Sequence, residues 1–142
     1  MSKAGNLKRN RSASILTFIA LALASVAFVL LIFLPTYTGG YTDPITGKTI
    51  NSSATLIQVN GYGVLLPLVV PVLFAGLGLL AVLMIHRGVR GGRLVLWVVA
   101  ALLAIFDLVT GFSIGAFYVP AAVLLLTSAA LTGRNADTTS AR

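Results

Sequence analysis

Residues 13–34 read ASILTFIALALASVAFVLLIFL, with no charged side chain. At a rise of 1.5 Å per residue such a helix is about 33 Å long, enough to cross a hydrocarbon core of about 30 Å. Pro35 ends it, because proline lacks the N–H that the next turn needs. A basic stretch precedes it, with Lys3, Lys8, Arg9 and Arg11. A signal peptide competes for this pattern, since Ala22, Ala24 and Ala27 could mark a cleavage site. The apolar run continues through Phe28–Leu34, beyond a normal signal core of about 7–15 residues, so an uncleaved first span (13–34) is favoured.

Three more apolar runs follow, at Tyr62–Ile85, Leu94–Thr110 and Ile114–Leu131. Nine of the ten basic residues fall on one side of the four runs. Arg87, Arg90 and Arg93 lie between the second and third, and Arg134 and Arg142 follow the fourth. Only Lys48 falls on the other side. Lys and Arg are retained on the cytoplasmic side during insertion. The expectation is an all-α membrane protein: a four-transmembrane-helix bundle with both termini inside (N-in/C-in). Its parts are a basic arm (1–12), the spans 13–34, 62–85, 94–110 and 114–132, an extracytoplasmic loop (35–61), a basic inner loop (86–93), an outer turn (111–113) and a cytoplasmic tail (133–142). The expected place is the cell membrane, taken to be a bacterial inner membrane.

Composition agrees. The chain has 142 residues, of which 58% are hydrophobic and 9% charged, too apolar for a soluble domain of this size. Its net charge of +7 is explained by topology and anionic headgroups, so no nucleic acid is expected as a partner. The absence of cysteine removes disulfides, thiolate metal sites and thiol chemistry. One histidine (His86) and three scattered acids (Asp43, Asp107, Asp137) leave no metal cage or triad. No cofactor is expected, and no enzyme activity, because acid–base and nucleophilic work need converging groups.

In the outer loop, Asp43-Pro44-Ile45-Thr46-Gly47-Lys48 has turn chemistry, and the flanking Tyr, Thr and Ile favour strands. A hairpin is expected there. Ala54–Val59 reads as a further strand stopped by Asn60-Gly61. A β-rich cap over the outer end is the reading, with an unstructured loop as the alternative. Asn51-Ser52-Ser53 matches a glycosylation sequon, a pattern frequent by chance. All four tyrosines (Tyr37, Tyr41, Tyr62, Tyr118) fall on the outer side and Trp97 on the inner, as aromatic belts require.

Pro67 and Pro71 sit in the outer half of the second span. They are expected to kink it and to leave the carbonyls of Gly63 and Pro67 without donors. The third span ends in a tight turn at Gly111-Phe112-Ser113, with Ser113 as N-cap of the fourth. Pro120 is tolerated near that helix's start, and Gly133-Arg134 suits its C-terminus. Small residues recur every three or four positions: Thr17, Ala20, Ala24 and Ala27; Pro67, Pro71, Ala75, Gly78 and Ala81; Ala100, Ala104, Asp107 and Gly111; more sparsely, Ala121 and Ser128. Such stripes let helices approach closely in lipid. They describe a compact bundle first and a surface for another protein's helices second.

Asp107 is the sole ionisable residue inside a predicted span, about 20 Å along the third helix from Leu94. A carboxylate at that depth calls for a partner. Thr110, on its own face, and Tyr118 are the nearest candidates, with Ser113 and Lys48 further possibilities. The group is either an ion or proton site or a structural anchor for the turn. Arg87, Arg90 and Arg93 are candidate contacts for anionic lipid headgroups. Gly88, Gly91 and Gly92 lack the strand and the Lys-Ser/Thr ending of a phosphate loop. Gly111 and Gly115 match a dimerisation spacing but straddle a turn, and His86 reads as a headgroup-level residue.

The order of features resembles small uncharacterised four-pass bacterial membrane proteins. The matching pieces are the basic start, Ala54-Thr55-Leu56-Ile57-Gln58-Val59-Asn60-Gly61, the Pro67/Pro71 helix, and Ser113–Ala122. The resemblance covers most of the chain and implies no activity. Claudin-type proteins are similar in having four spans and a β-cap on the first loop, but this loop lacks their tryptophan and paired cysteines. Small multidrug-resistance transporters are similar in length and span number, but the membrane glutamate of their first span is missing here. Two expectations follow. The first is a non-enzymatic accessory or interaction subunit whose partners are the bilayer and other membrane proteins or itself. The alternative is a small homo-oligomeric transporter or channel using Asp107.

Overall fold

The computed structural model describes residues 3–89, 91–111 and 114–133. Its elements in order are α1 (Lys3–Phe33), β1 (Tyr37–Thr42), β2 (Thr49–Ala54), α2 (Leu56–Asn60), a 3-10 turn (Tyr62–Val64), α3 (Leu65–His86), α4 (Gly92–Thr110), a second 3-10 turn (Gly115–Phe117) and α5 (Val119–Gly133). Three helical segments are long and apolar enough to cross a membrane: Arg11–Phe33, Tyr62–His86 and Gly92–Thr110. The apolar Val119–Thr132 is shorter.

Helices α1, α3, α4 and α5 form a ring in which α1 packs on α3 and α5, and α4 packs on the same two. The inward faces are the small-residue stripes. On α1, Ala13, Thr17, Ala20, Ala24, Ala27 and Leu31 are buried, and on α3, Leu68, Pro71, Ala75, Gly78 and Ala81. Large apolar side chains point outward instead, among them Phe18, Val26, Leu66, Leu73, Ile105 and Leu108. A soluble helix buries its large side chains. This arrangement suits a surrounding that is itself apolar, where close backbone approach holds helices together.

Polar contacts fix which ends meet. Ser14 Oγ lies 3.0 Å from His86 Nε2, joining the first half of α1 to the end of α3. Near the same level, Thr17 Oγ1 and Ser128 Oγ are 2.9 Å apart, and both hydroxyls reach the Ala13 carbonyl, at 2.8 and 3.1 Å. At the opposite end, Tyr118 donates its hydroxyl to the Leu68 carbonyl at 3.0 Å. Arg11, Arg87 and Arg93 therefore share one end of the ring. The hairpin with Lys48 follows the other end of α1.

Four details differ from the sequence reading, each for a local reason. α1 begins at Lys3, so the basic arm is continuous with the apolar helix. Nothing in Lys3–Ser12 breaks a helix, since glycine costs only about 1 kcal/mol there and proline is absent. Ala54–Val59 is not a strand. β2 ends at Ala54, and Thr55 caps a short helix. The Gln58 amide donates to Thr55 Oγ1 at 3.3 Å, and the Thr55 amide donates to Gln58 Oε1 at 2.9 Å, a reciprocal box that overrides the strand preference of Ile57 and Val59. Pro67 is the third residue of α3, where the helix has no bond for its N–H to make. The Gly63 carbonyl accordingly keeps a partner, the Leu65 amide. Pro71 alone lies in the helix interior. Finally, α5 begins at Val119 rather than at 114. Pro120 has no N–H to give the Ala116 carbonyl. The chain enters instead through tighter bonds, Phe117 N–H to the Ile114 carbonyl at 3.2 Å and Tyr118 N–H to the Gly115 carbonyl at 2.9 Å. Phe112, Ser113, Arg90 and the tail from 134 onward lie outside the described residues, so the Ser113 cap and the Gly133-Arg134 terminus do too.

The expected hairpin is present, with β1 and β2 antiparallel from Tyr37 opposite Ala54 to Thr42 opposite Thr49. Asp43 organises its turn. Its side chain accepts from Thr46 Oγ1 at 2.7 Å and from the Ile45 amide at 2.9 Å, and Gly47 takes a φ of +64°. The Thr46 hydroxyl first, then the Ile45 amide, holds the Asp43 carboxyl below the usual carboxylate range. A depressed value means that the turn is supported above the unfolded carboxylate's range and loses that support as pH falls through the folded value. The amide chemical shifts of Ile45 and Gly47 should stay constant from neutral pH to about pH 5 and move toward loop values only below about pH 4. Movement centred near neutrality would show that another group controls the turn.

Candidate functional site

The site is built where α4 ends and α5 begins. Thr110 Oγ1 donates back to the Phe106 carbonyl at 2.7 Å, closing the last turn of α4. The chain then doubles back so tightly that Gly115 faces the end of α4. A β-carbon on Gly115 would stand 2.5 Å from the Asp107 carbonyl oxygen and 2.6 Å from Thr110 Oγ1. Only glycine allows this approach. It brings the start of α5 beside Asp107.

Between the two helices runs a groove of about 470 Å³. Ala104, Asp107, Leu108 and Gly111 line it from α4 and its terminus, and Ala116, Val119, Ala122, Val123 and Leu126 from the other side. Small residues make its floor. Its rims are exposed apolar side chains, Leu108 at 80% and Val123 at 53%. The groove opens outward, away from the interior of the ring.

Asp107 is 5% exposed, and among the described residues neither carboxylate oxygen has a hydrogen-bond partner. The expected partners are close in sequence but committed elsewhere. Thr110 serves the Phe106 carbonyl, and Tyr118 serves Leu68. α4 also carries no basic residue in its last turn. The unpaired backbone carbonyls there make a helix C-terminus negative. The carboxylate and the helix end therefore have the same sign, and the last turn of α4 holds no cation to oppose them.

Tyr118 has a different task. It is fully buried, and its hydroxyl adds a bond to the carbonyl of Leu68, the residue after the Pro67 carbonyl that Pro71 leaves without a donor. The carbonyls expected to lack donors are those of Gly63 and Pro67, and Tyr118 bonds neither of them. Tyr118→Phe should lower stability by about 1 kcal/mol, the size of one interhelical hydrogen bond. Thermal unfolding in detergent, read from Trp97 fluorescence, checks this, and an unchanged midpoint would mean that the hydroxyl adds nothing to the helix's own bonding.

Arg87 follows α3 and is exposed, and Arg93 is half-buried in the first turn of α4. Both are at the far end from Asp107. Arg90 lies outside the described residues. The Thr17–Ser128 pair was not foreseen, although both residues belong to the small-residue stripes. A stripe's spacing gives the size of its hydroxyl residues but not which hydroxyls meet across helices. Among the described residues, no three His, Cys, Asp or Glu side chains group to hold a metal ion.

No protein-family model, curated protein or solved structure matches this chain. The reading of function rests on the groove and on the arrangement of charge around the helices.

Proposed function

We propose that this chain is a four-pass protein of the cell membrane, with both termini cytoplasmic, acting as a non-enzymatic accessory subunit that binds another membrane protein. Arg11, Arg87 and Arg93 at one end of the ring support the orientation, by the retention of Lys and Arg inside. α5 spans with the help of the turn before it and of local bilayer thinning around a short helix. The observation that carries the binding reading is the outward groove between α4 and α5 with its unpartnered Asp107. The small-residue stripes support it less, because they are already buried within the ring.

The test is gentle extraction of the tagged full chain from its native membrane, with native mass and co-purifying proteins determined together. A stoichiometric larger partner supports the accessory role. A lone monomer or homo-oligomer overturns it and favours the second reading, a small transporter or channel working through Asp107. That reading draws on the same unpaired carboxylate, but it requires a water path, and the groove's lining is apolar apart from Asp107 itself. Ion- or proton-dependent flux in proteoliposomes, lost in Asp107→Asn, would establish it.

A further inference from the structure

Resting on the accessory-subunit reading, we infer that the α4/α5 groove receives a transmembrane helix of a different protein that carries one Lys or Arg near its outer end, paired with Asp107.

Three observations point to this occupant. Asp107 is buried with both oxygens unsatisfied, and it lies at the groove. An intramembrane carboxylate without a partner is costly, and such residues pair with a cation or face water. The end of α4 adds its own negative pole, uncompensated by any basic residue in the last turn. A cation is favoured twice over at one place. The groove's shape supplies the rest. Ala104, Gly111, Ala116 and Ala122 leave a shallow floor against which a helix backbone can lie, and Leu108, Val119, Val123 and Leu126 give it apolar walls.

A second copy of the chain fits less well. Its spans contain no Lys or Arg near their outer ends, and its one outer cation is Lys48, in the hairpin turn. The basic group must come from a helix that has one. Asp107 is three residues from the end of α4, so a Lys or Arg about one turn inside the partner's outer end would meet it. Each charge then offsets the other's cost of entering the bilayer. Neither helix alone satisfies its charge, which makes the pairing selective as well as attractive.

The probe is a synthetic helix of Leu and Ala, about 21 residues long, with one Lys four residues from its outer end. A second peptide has Leu in place of that Lys. The purified full chain is reconstituted in liposomes, and a dye on a single cysteine introduced in its tail reports binding by energy transfer; the native chain has none to interfere. The Lys peptide should bind about tenfold more tightly than the Leu peptide, the effect of one strong polar contact between helices in lipid. Asp107→Asn should remove the difference while leaving the groove. Val123→Phe, which fills the groove from an exposed position, should weaken both peptides. Equal binding of the two peptides to the native chain overturns the pairing. Failure of both to bind overturns the groove as a helix site, while a native partner found by co-purification would leave the accessory role standing on another face. Energy transfer between two copies that is lost in both Asp107→Asn and Lys48→Ala would make the second copy the occupant and overturn the proposal.

Discussion

Gly115→Ala lowers the stability of the chain by about 3 kcal/mol, at the upper end of what one added methyl costs in a packed interior. The added carbon would meet the Asp107 carbonyl oxygen at 2.5 Å, Thr110 Oγ1 at 2.6 Å and the Thr110 carbonyl carbon at 2.9 Å. Two of these three are backbone atoms of a hydrogen-bonded helix end, so no rotamer change relieves the clash. The 3-10 turn must move off α4. It takes Tyr118 with it, and the bond from its hydroxyl to the Leu68 carbonyl is lost. Gly76→Ala is the control, because its β-carbon would meet nothing within 4 Å and it lies within α3. That change should stabilise by about 0.5–1 kcal/mol through helix propensity. Equilibrium unfolding in mixed micelles compares the two. If both variants behave alike, the turn does not sit against α4 as described.

Asp107→Leu moves the other way and stabilises the isolated chain by about 2 kcal/mol. A carboxylate inside a membrane costs about 2.5–3.5 kcal/mol at the centre and less toward the surface, and Asp107 has no hydrogen bond to offset it. Removing an unpaired buried charge is favourable even where a paired one is tolerated. The same unfolding measurement decides. A loss of stability in Asp107→Leu would reveal a partner for the carboxylate and would remove the basis for a binding role. A gain would show that the chain retains this residue at a cost to its own fold, the trade expected of a functional group.

Long features were legible in the sequence because they rest on sums over many residues. The apolar runs, the hairpin around Asp43 and the inward stripes of α1 and α3 all follow from patterns of ten or more positions. The errors arose where one or two side chains decide. Thr55 and Gln58 formed a visible capping box, but Ile57 and Val59 drew the reading toward a strand. Pro120 was placed near the start of a helix from 114, although its missing N–H forbids regular bonding to Ala116 and delays α5 to Val119. Asp107 stood out by its charge alone. Its isolation could not be read, because Thr110 and Tyr118 are plausible donors by distance along the chain. Only the fold shows that each is engaged with a carbonyl. The groove was equally hidden, since it is made by two helices whose spacing Gly115 sets.

The ring order has a consequence for how the protein is made. α1 leaves the ribosome before α3, α4 and α5, yet it packs on the last of these as well as on α3. Until residues 119–133 emerge, Thr17 and the Ala13 carbonyl lack Ser128. Assembly therefore cannot finish pair by pair during translation. Chains stalled after α4 should be selectively vulnerable to membrane proteases.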